Sequence, residues 1–237
     1  MVAGLGVDYV IRLEQGRGPR PSPQILRALA RALRLSDDDR DTLFRLAGSA
    51  PPQAAHVPML VPRSTQRLLE RISELPALVL SAKSDALAWN PLAAALFGDF
   101  SALPPARRNL IRQRFLGTGI GRVTMAPDPD AAAECVGCLR TAQARYPDDP
   151  DLARLIADLR AGSEPFDRFW RAGRSGRQRS TSTTVVHPEL GRLVLDCDVL
   201  VVPEADQTML VYSAGPGTSE ASALDLLRVT GLERFVV

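Results

Sequence analysis

The feature that most constrains this chain is a pair of short helical patterns separated by a basic, glycine- and proline-rich turn near its start. Residues 9–21 read YVIRLEQGRGPRP. Val7, Val10, Ile11 and Leu13 are apolar at helical spacing, and Arg12 and Glu14 are polar. Gly16 can take the left-handed backbone that ends a helix, and Pro19 and Pro21 prevent its continuation. Ser22-Pro23 then supplies a capping hydroxyl followed by proline at the first helical position. Ile25, Leu26, Leu29, Ala30 and Leu33 form one face of the second helix, with Arg27, Arg31 and Arg34 turned largely away. Ser36 caps a third helix, and Asp37, Asp38 and Asp39 sit where the helix dipole favours negative charge. Leu43, Phe44, Leu46 and Ala47 are its apolar side, and Gly48 ends it. A short helix with an exposed arginine, a basic turn and another helix is the arrangement by which helix-turn-helix modules meet DNA.

The charge distribution sharpens this reading. Residues 9–34 hold six arginines against Glu14, a local net charge of +5, although the whole chain carries only +2. Clustered guanidinium groups are what phosphate contact needs. An arginine-biased composition, with Lys83 the only lysine, would give similar counts without any nucleic acid. On the first helix, Val7, Asp8, Tyr9 and Arg12 occupy the turns that would enter a major groove, where Arg12 can read guanine or hold phosphate. Arg17 and Arg20 lie beyond the helix and suit backbone phosphates.

At 237 residues with 45% hydrophobic content, the chain has room for one small and one medium domain, each with a packed core. Its three cysteines do not make a disulfide framework. There is no apolar run of about 20 residues to span a membrane, and no secretory signal pattern, so a cytoplasmic location is expected. The stretch 49–62 contains Pro51, Pro52, Pro58 and Pro62 and reads as a linker. The expected division is a DNA-binding region at 1–48, the linker at 49–62, a second domain at 63–215 and a tail at 216–237.

In the second domain, helical patterns are expected at 63–75, 92–97, 104–116, 130–145, 149–161 and 165–171. Strands are expected at 77–81 and 86–89, around the turn Lys83-Ser84-Asp85, and again at 180–187, 192–202 and 209–214. Two early strands, intervening helices and three late strands predict an α+β fold, an antiparallel sheet with helices on one side.

No catalytic or metal constellation emerges. Cys135-Val-Gly-Cys138 sits in an alanine-rich helical pattern, and Cys197, His56 and His187 do not complete zinc-finger spacing. The glycine-rich stretch 117–121 has neither the preceding strand nor the following helix of a phosphate loop. His187, Glu189, Asp196 and Asp198 lack a nucleophile at recognisable spacing. A turn-flanking histidine and exposed strand acids account for them, so an enzyme is not expected.

The segment LEQGRGPRPSPQILRALARAL, residues 13–33, closely resembles the end of the recognition helix and the next helix of XRE-type DNA-binding domains, in particular those of MmyB-like transcription regulators. The second domain carries the same resemblance through Ala88-Trp89-Asn90-Pro91-Leu92-Ala93, Phe97-Gly98-Asp99-Phe100, Arg107-Arg108-Asn109-Leu110, Phe166-Asp167-Arg168-Phe169-Trp170, and His187-Pro188-Glu189-Leu190-Gly191 through Leu195-Asp196. It departs from the family at 116–128 and 171–179. The resemblance implies a sequence-specific regulator that binds double-stranded DNA through a helix-turn-helix of five helices. The helix at 7–15 would be the third, so the module is expected to be a truncated remnant. It further implies a PAS-like ligand-binding domain for a hydrophobic, fatty-acid-like small molecule, a homodimer, and no metal or other cofactor. Trp89, Phe97, Phe115, Phe169 and Trp170 are the expected ligand contacts. The alternative is a ligand-binding or dimerisation protein that has lost DNA binding.

Overall fold

The computed structural model describes residues 6–49, 55–117, 123–174, 176 and 180–233. The chain divides into two compact units, Met1–Ala54 and Ala55–Val237.

The first unit is helical: α1 (Val7–Glu14), α2 (Pro23–Ala32) and α3 (Asp37–Leu46). Gly16, at φ +65°, turns the chain out of α1. The Ser22 hydroxyl accepts from the Ile25 N–H to cap α2, and the Ser36 hydroxyl accepts from the Asp39 N–H to cap α3. Leu26, Leu29, Ala30 and Phe44 are its buried apolar residues.

The second unit is built on a six-stranded antiparallel sheet in the order β2-β1-β6-β5-β4-β3. The strands are β1 (Ala77–Leu80), β2 (Ala86–Trp89), β3 (Thr124–Met125), β4 (Thr181–His187), β5 (Gly191–Val202) and β6 (Gln207–Ser213). The alternation in β5 fixes its two faces: Leu193, Leu195 and Cys197 are buried, whereas Arg192, Val194, Asp196 and Asp198 are exposed. On the buried face, Leu78, Leu80, Val185, Leu193, Leu195, Leu210 and Tyr212 pack with Leu92 and Leu96 of α5 (Pro91–Phe97) and Leu224 and Leu227 of α10 (Ser219–Glu233). A second core joins α6 (Leu110–Leu116), α7 (Pro129–Arg145), α8 (Pro150–Gly162) and α9 (Glu164–Arg171) through Ile111, Leu139, Leu152, Leu159 and Phe166.

The α+β class expected from the sequence is what the chain adopts, with differences in detail. The helices are not confined to one side: α4 (Arg63–Arg71) covers part of the reverse face, its Leu69 packing with Ala77, Val79, Met209 and Val211. Residues 104–116 are not one helix. A 3-10 turn at Pro105–Arg107 precedes α6, and Asn109 caps α6 by accepting from the Arg112 N–H at 2.9 Å. The segment 216–237, expected to be a tail, contains α10, whose Leu224 and Leu227 complete the sheet core. The end of the expected linker belongs to the second unit, because Val57 is buried in the helical core. Residues 50–54 of that linker, 118–121 of the glycine-rich stretch and 2–5 ahead of α1 lie outside the described residues.

Asp149 anchors the linker's end. One carboxylate oxygen caps α8 by accepting from the Leu152 N–H at 2.8 Å, and the other accepts from the Val57 N–H at 2.8 Å. Burial pushes this carboxyl up, but the two backbone donors and the charge of Lys83 outweigh it and hold its pKa below the ordinary 3.8. The native state therefore favours the ionised form. The stabilisation is present above the ordinary carboxylate value and is lost as pH falls through the lower, native one. Asp149→Asn is expected to lower stability by about 1–2 kcal/mol at pH 7. Urea unfolding of both proteins should show that difference shrinking at pH 3.

Candidate functional site

No residue of α1 is fully buried, and Tyr9, Val10 and Leu13 are partly covered. Val7, Asp8 and Arg12 are exposed, and Tyr9 is half-buried. The Arg12 side chain lies back along its own helix, its Nε donating to the Asp8 carbonyl at 3.3 Å. Arg17 and Arg20 are exposed in the turn, and the Arg20 guanidinium runs beside Gly48. Arg27, Arg31 and Arg34 are also exposed. Two acids of α3 are engaged locally: Asp39 accepts from the Ser36 hydroxyl, and Asp41 accepts from Arg40. Among its described residues the unit thus carries a run of exposed guanidinium groups from Arg12 to Arg34.

The five aromatic residues expected to line one pocket are distributed over two cores. Trp89 and Phe97 border the sheet core, where Trp89 meets Phe100 at 5.1 Å and Phe97 meets Tyr212 edge-on at 4.8 Å. Phe115, Phe169 and Trp170 belong to the helical core, where Phe166 contacts both Phe115 and Trp170. Arg108 lies over the Trp89 ring and Arg140 over the Trp170 ring. Beside Trp89 runs an open groove of about 290 Å³, lined by Asn90, Pro91, Ala94, Asp99 and Ser101.

Cys197 and Tyr212 belong to the sheet core, and Cys135 packs against the helical core. The buried Tyr212 phenol and the Cys197 thiol influence each other, and Cys135 of α7 influences Tyr212 electrostatically as well. Burial pushes all of these groups toward their neutral forms: Cys197 to about 11, Cys138 to about 12, and Cys135 and Tyr212 upward as well. The thiols of the Cys-Val-Gly-Cys motif are therefore protonated at neutral pH and behave as small apolar groups.

A model of the MmyB-like transcription regulator ligand-binding domain matches residues 61–227, and a helix-turn-helix domain model matches residues 1–43. The chain belongs to the MmyB-like transcription regulators. No curated protein matches it closely enough to add a relative. The regulator therefore couples a DNA-binding helix-turn-helix to a domain that binds a small-molecule ligand. Both families are of binding domains, and neither is enzymatic. No described helix of the regulator is long and apolar enough to cross a membrane. The match to residue 227 takes in most of α10, in keeping with the contribution of that helix to the sheet core.

The other singled-out polar residues have structural work in the regulator. His187 is buried, and its Nδ1 accepts from the N–H groups of Glu189 and Leu190 across the β4–β5 turn. Asp196 and Asp198 stand on the exposed sheet face. A buried polar knot surrounds the sole lysine. Asn109 donates to the Lys83 carbonyl and to Asp85, and the Lys83 ammonium lies 3.9 Å from both Asp85 and Asp151. An asparagine at a helix start was the only local sign of it.

Proposed function

We propose that this regulator reads duplex DNA as an XRE-type homodimer in the cytoplasm and responds to a hydrophobic, fatty-acid-like molecule held in its second domain. Val7, Asp8, Tyr9 and Arg12 face the major groove, and Arg17 and Arg20 hold phosphates. The observation that supports the ligand chemistry is the apolar lining that each core offers. Phe97 and Phe115 are only partly covered, and the neighbouring thiols and phenol are all kept neutral by burial. Such a lining favours an acyl chain over a charged metabolite. Ligand binding would bias the arrangement of the dimer and with it the spacing of the two recognition helices.

The two tryptophans report on the two cores separately, since Trp89 borders one and Trp170 lies in the other. Titrating Trp89→Phe and Trp170→Phe variants with a saturated long-chain fatty acid should give a saturable emission change in at least one, at micromolar ligand. Medium-chain homologues should bind more weakly, by about 0.8 kcal/mol for each methylene removed. Unchanged emission from both variants across the series would remove the fatty-acid reading.

A further inference from the structure

The reverse face of the sheet is covered on only one half. α4 lies over β1 and β6, where Leu69 and Ile72 meet Ala77, Val79, Met209 and Val211. The register carries that same face across the rest of the sheet, since Leu200 stands beside Met209, and Asp198 beside Val211. Thr184 stands beside Val194, and Ser182 beside Asp196. On this half Val186, Val194 and Leu200 are 45%, 44% and 48% exposed; Asp196 and Asp198 stand between Val194 and Leu200, and exposed Arg192 stands beside Val186. The outer surface of α4 has the complementary composition. Leu68 is half exposed, beside exposed Arg63, Arg67 and Arg71, with Glu70 exposed among them and accepting from Gln66. Among the described residues, no carboxylate pairs with these three arginines, and no cation pairs with Asp196 or Asp198.

We infer that the bare half of the sheet, over β5, β4 and β3, is the docking site for α4 of a second copy of this chain. Three strands about 4.8 Å apart leave a bare strip roughly 10 Å wide, the diameter of one helix. A two-fold axis parallel to the strands lays each copy's α4 on the other's strip and makes one helical layer between two sheets. Leu68 then meets Leu200 at one end of the strip, and the α4 arginines meet Asp196 and Asp198 beside it. An isologous interface requires such self-complementarity within one chain, and alternating apolar and opposite charges supply both burial and register. This surface rests on the homodimer of the proposed function and names the face that forms it.

Sedimentation equilibrium of the full chain tests the surface through two charge reversals and their combination. The unmodified chain should be dimeric at micromolar concentration. Arg67→Glu with Arg71→Glu should weaken the dimer at least about tenfold, and so should Asp196→Arg with Asp198→Arg. The four substitutions together should restore most of the affinity, because each new glutamate then faces a new arginine. All four positions are exposed, and circular dichroism confirms that the fold is kept. A monomeric native chain would overturn the homodimer and this surface with it. A dimer indifferent to both reversals would keep the homodimer and overturn the surface, placing the interface elsewhere, for example on the exposed Leu226 and Val229 of α10. Reversals that each weaken the dimer without mutual rescue would overturn the pairing of α4 with β5.

Discussion

Asn90→Ala is expected to lower the stability of the ligand domain by about 3–4 kcal/mol, a large share of the 5–15 kcal/mol typical of a folded domain. Asn90 is almost wholly buried, and its amide is fully used. The carbonyl oxygen accepts from the Ala93 N–H at 2.8 Å, capping α5, and from the Ala77 N–H at 3.1 Å, where β1 begins. The amide nitrogen donates to the Ile72 and Leu75 carbonyls at 2.5 and 2.7 Å, fixing the exit from α4. One side chain therefore joins α4, β1, β2 and α5. Alanine leaves two donors and two acceptors buried without partners, at about 1–3 kcal/mol each before relaxation. Asn90→Asp separates the capping role from the rest. It keeps both accepted bonds but sets a carboxylate oxygen against two carbonyls, so it should match alanine at pH 7 and recover as pH falls and the group protonates. Urea unfolding followed by far-ultraviolet circular dichroism measures all three proteins. A loss below about 1 kcal/mol for alanine would mean that packing alone holds this corner.

The same residue shows why some of the fold was legible. Asn90-Pro91 announces a helix start locally, as Ser22-Pro23 does for α2, because a cap needs only a short polar side chain and a fixed φ a residue later. The strict alternation of Leu193, Leu195 and Cys197 likewise exposes β5 as a half-buried strand. α10 is not legible in the sequence, for the converse reason. Leu224, Leu226, Leu227 and Val229 are apolar around most of its circumference, so no periodicity stands out from the preceding turn. β3 is only two residues long and exists by pairing with Val185 and Val186, some sixty residues away. The grouping of Cys135, Cys197 and Tyr212 depends on where α7 meets the sheet. The placement of α4 on the reverse face depends on burial of Leu69 against Met209 and Val211. Spacing along the chain cannot express such contacts. It also joined Phe115 and Trp170 to Trp89 as one pocket, when α6 and α9 place the first two in a separate core.

Arg12→Ala is expected to weaken binding to a duplex from the gene's own promoter by about 10–100-fold and to erase most of its preference over a scrambled duplex. The argument starts from exposure. α1 fully buries none of its residues and, among the described residues, Arg12 bonds its own helix backbone, so this guanidinium can exchange the Asp8 carbonyl for a base edge. A bidentate arginine–guanine contact discriminates by about 1–3 kcal/mol, and truncation removes the discrimination along with the affinity. Arg17 and Arg20 should behave differently, because residues past the helix end reach phosphates that every sequence presents. Arg17→Ala with Arg20→Ala should weaken promoter and scrambled duplexes alike and reduce the slope of log K against log salt by about 2. Fluorescence anisotropy at several salt concentrations separates the two signatures. If Arg12→Ala instead lowers both duplexes equally and reduces the salt slope by about 1, Arg12 is a phosphate contact, and base reading falls to Val7, Asp8 and Tyr9. If none of the three arginines changes binding, α1 is not the DNA-reading helix.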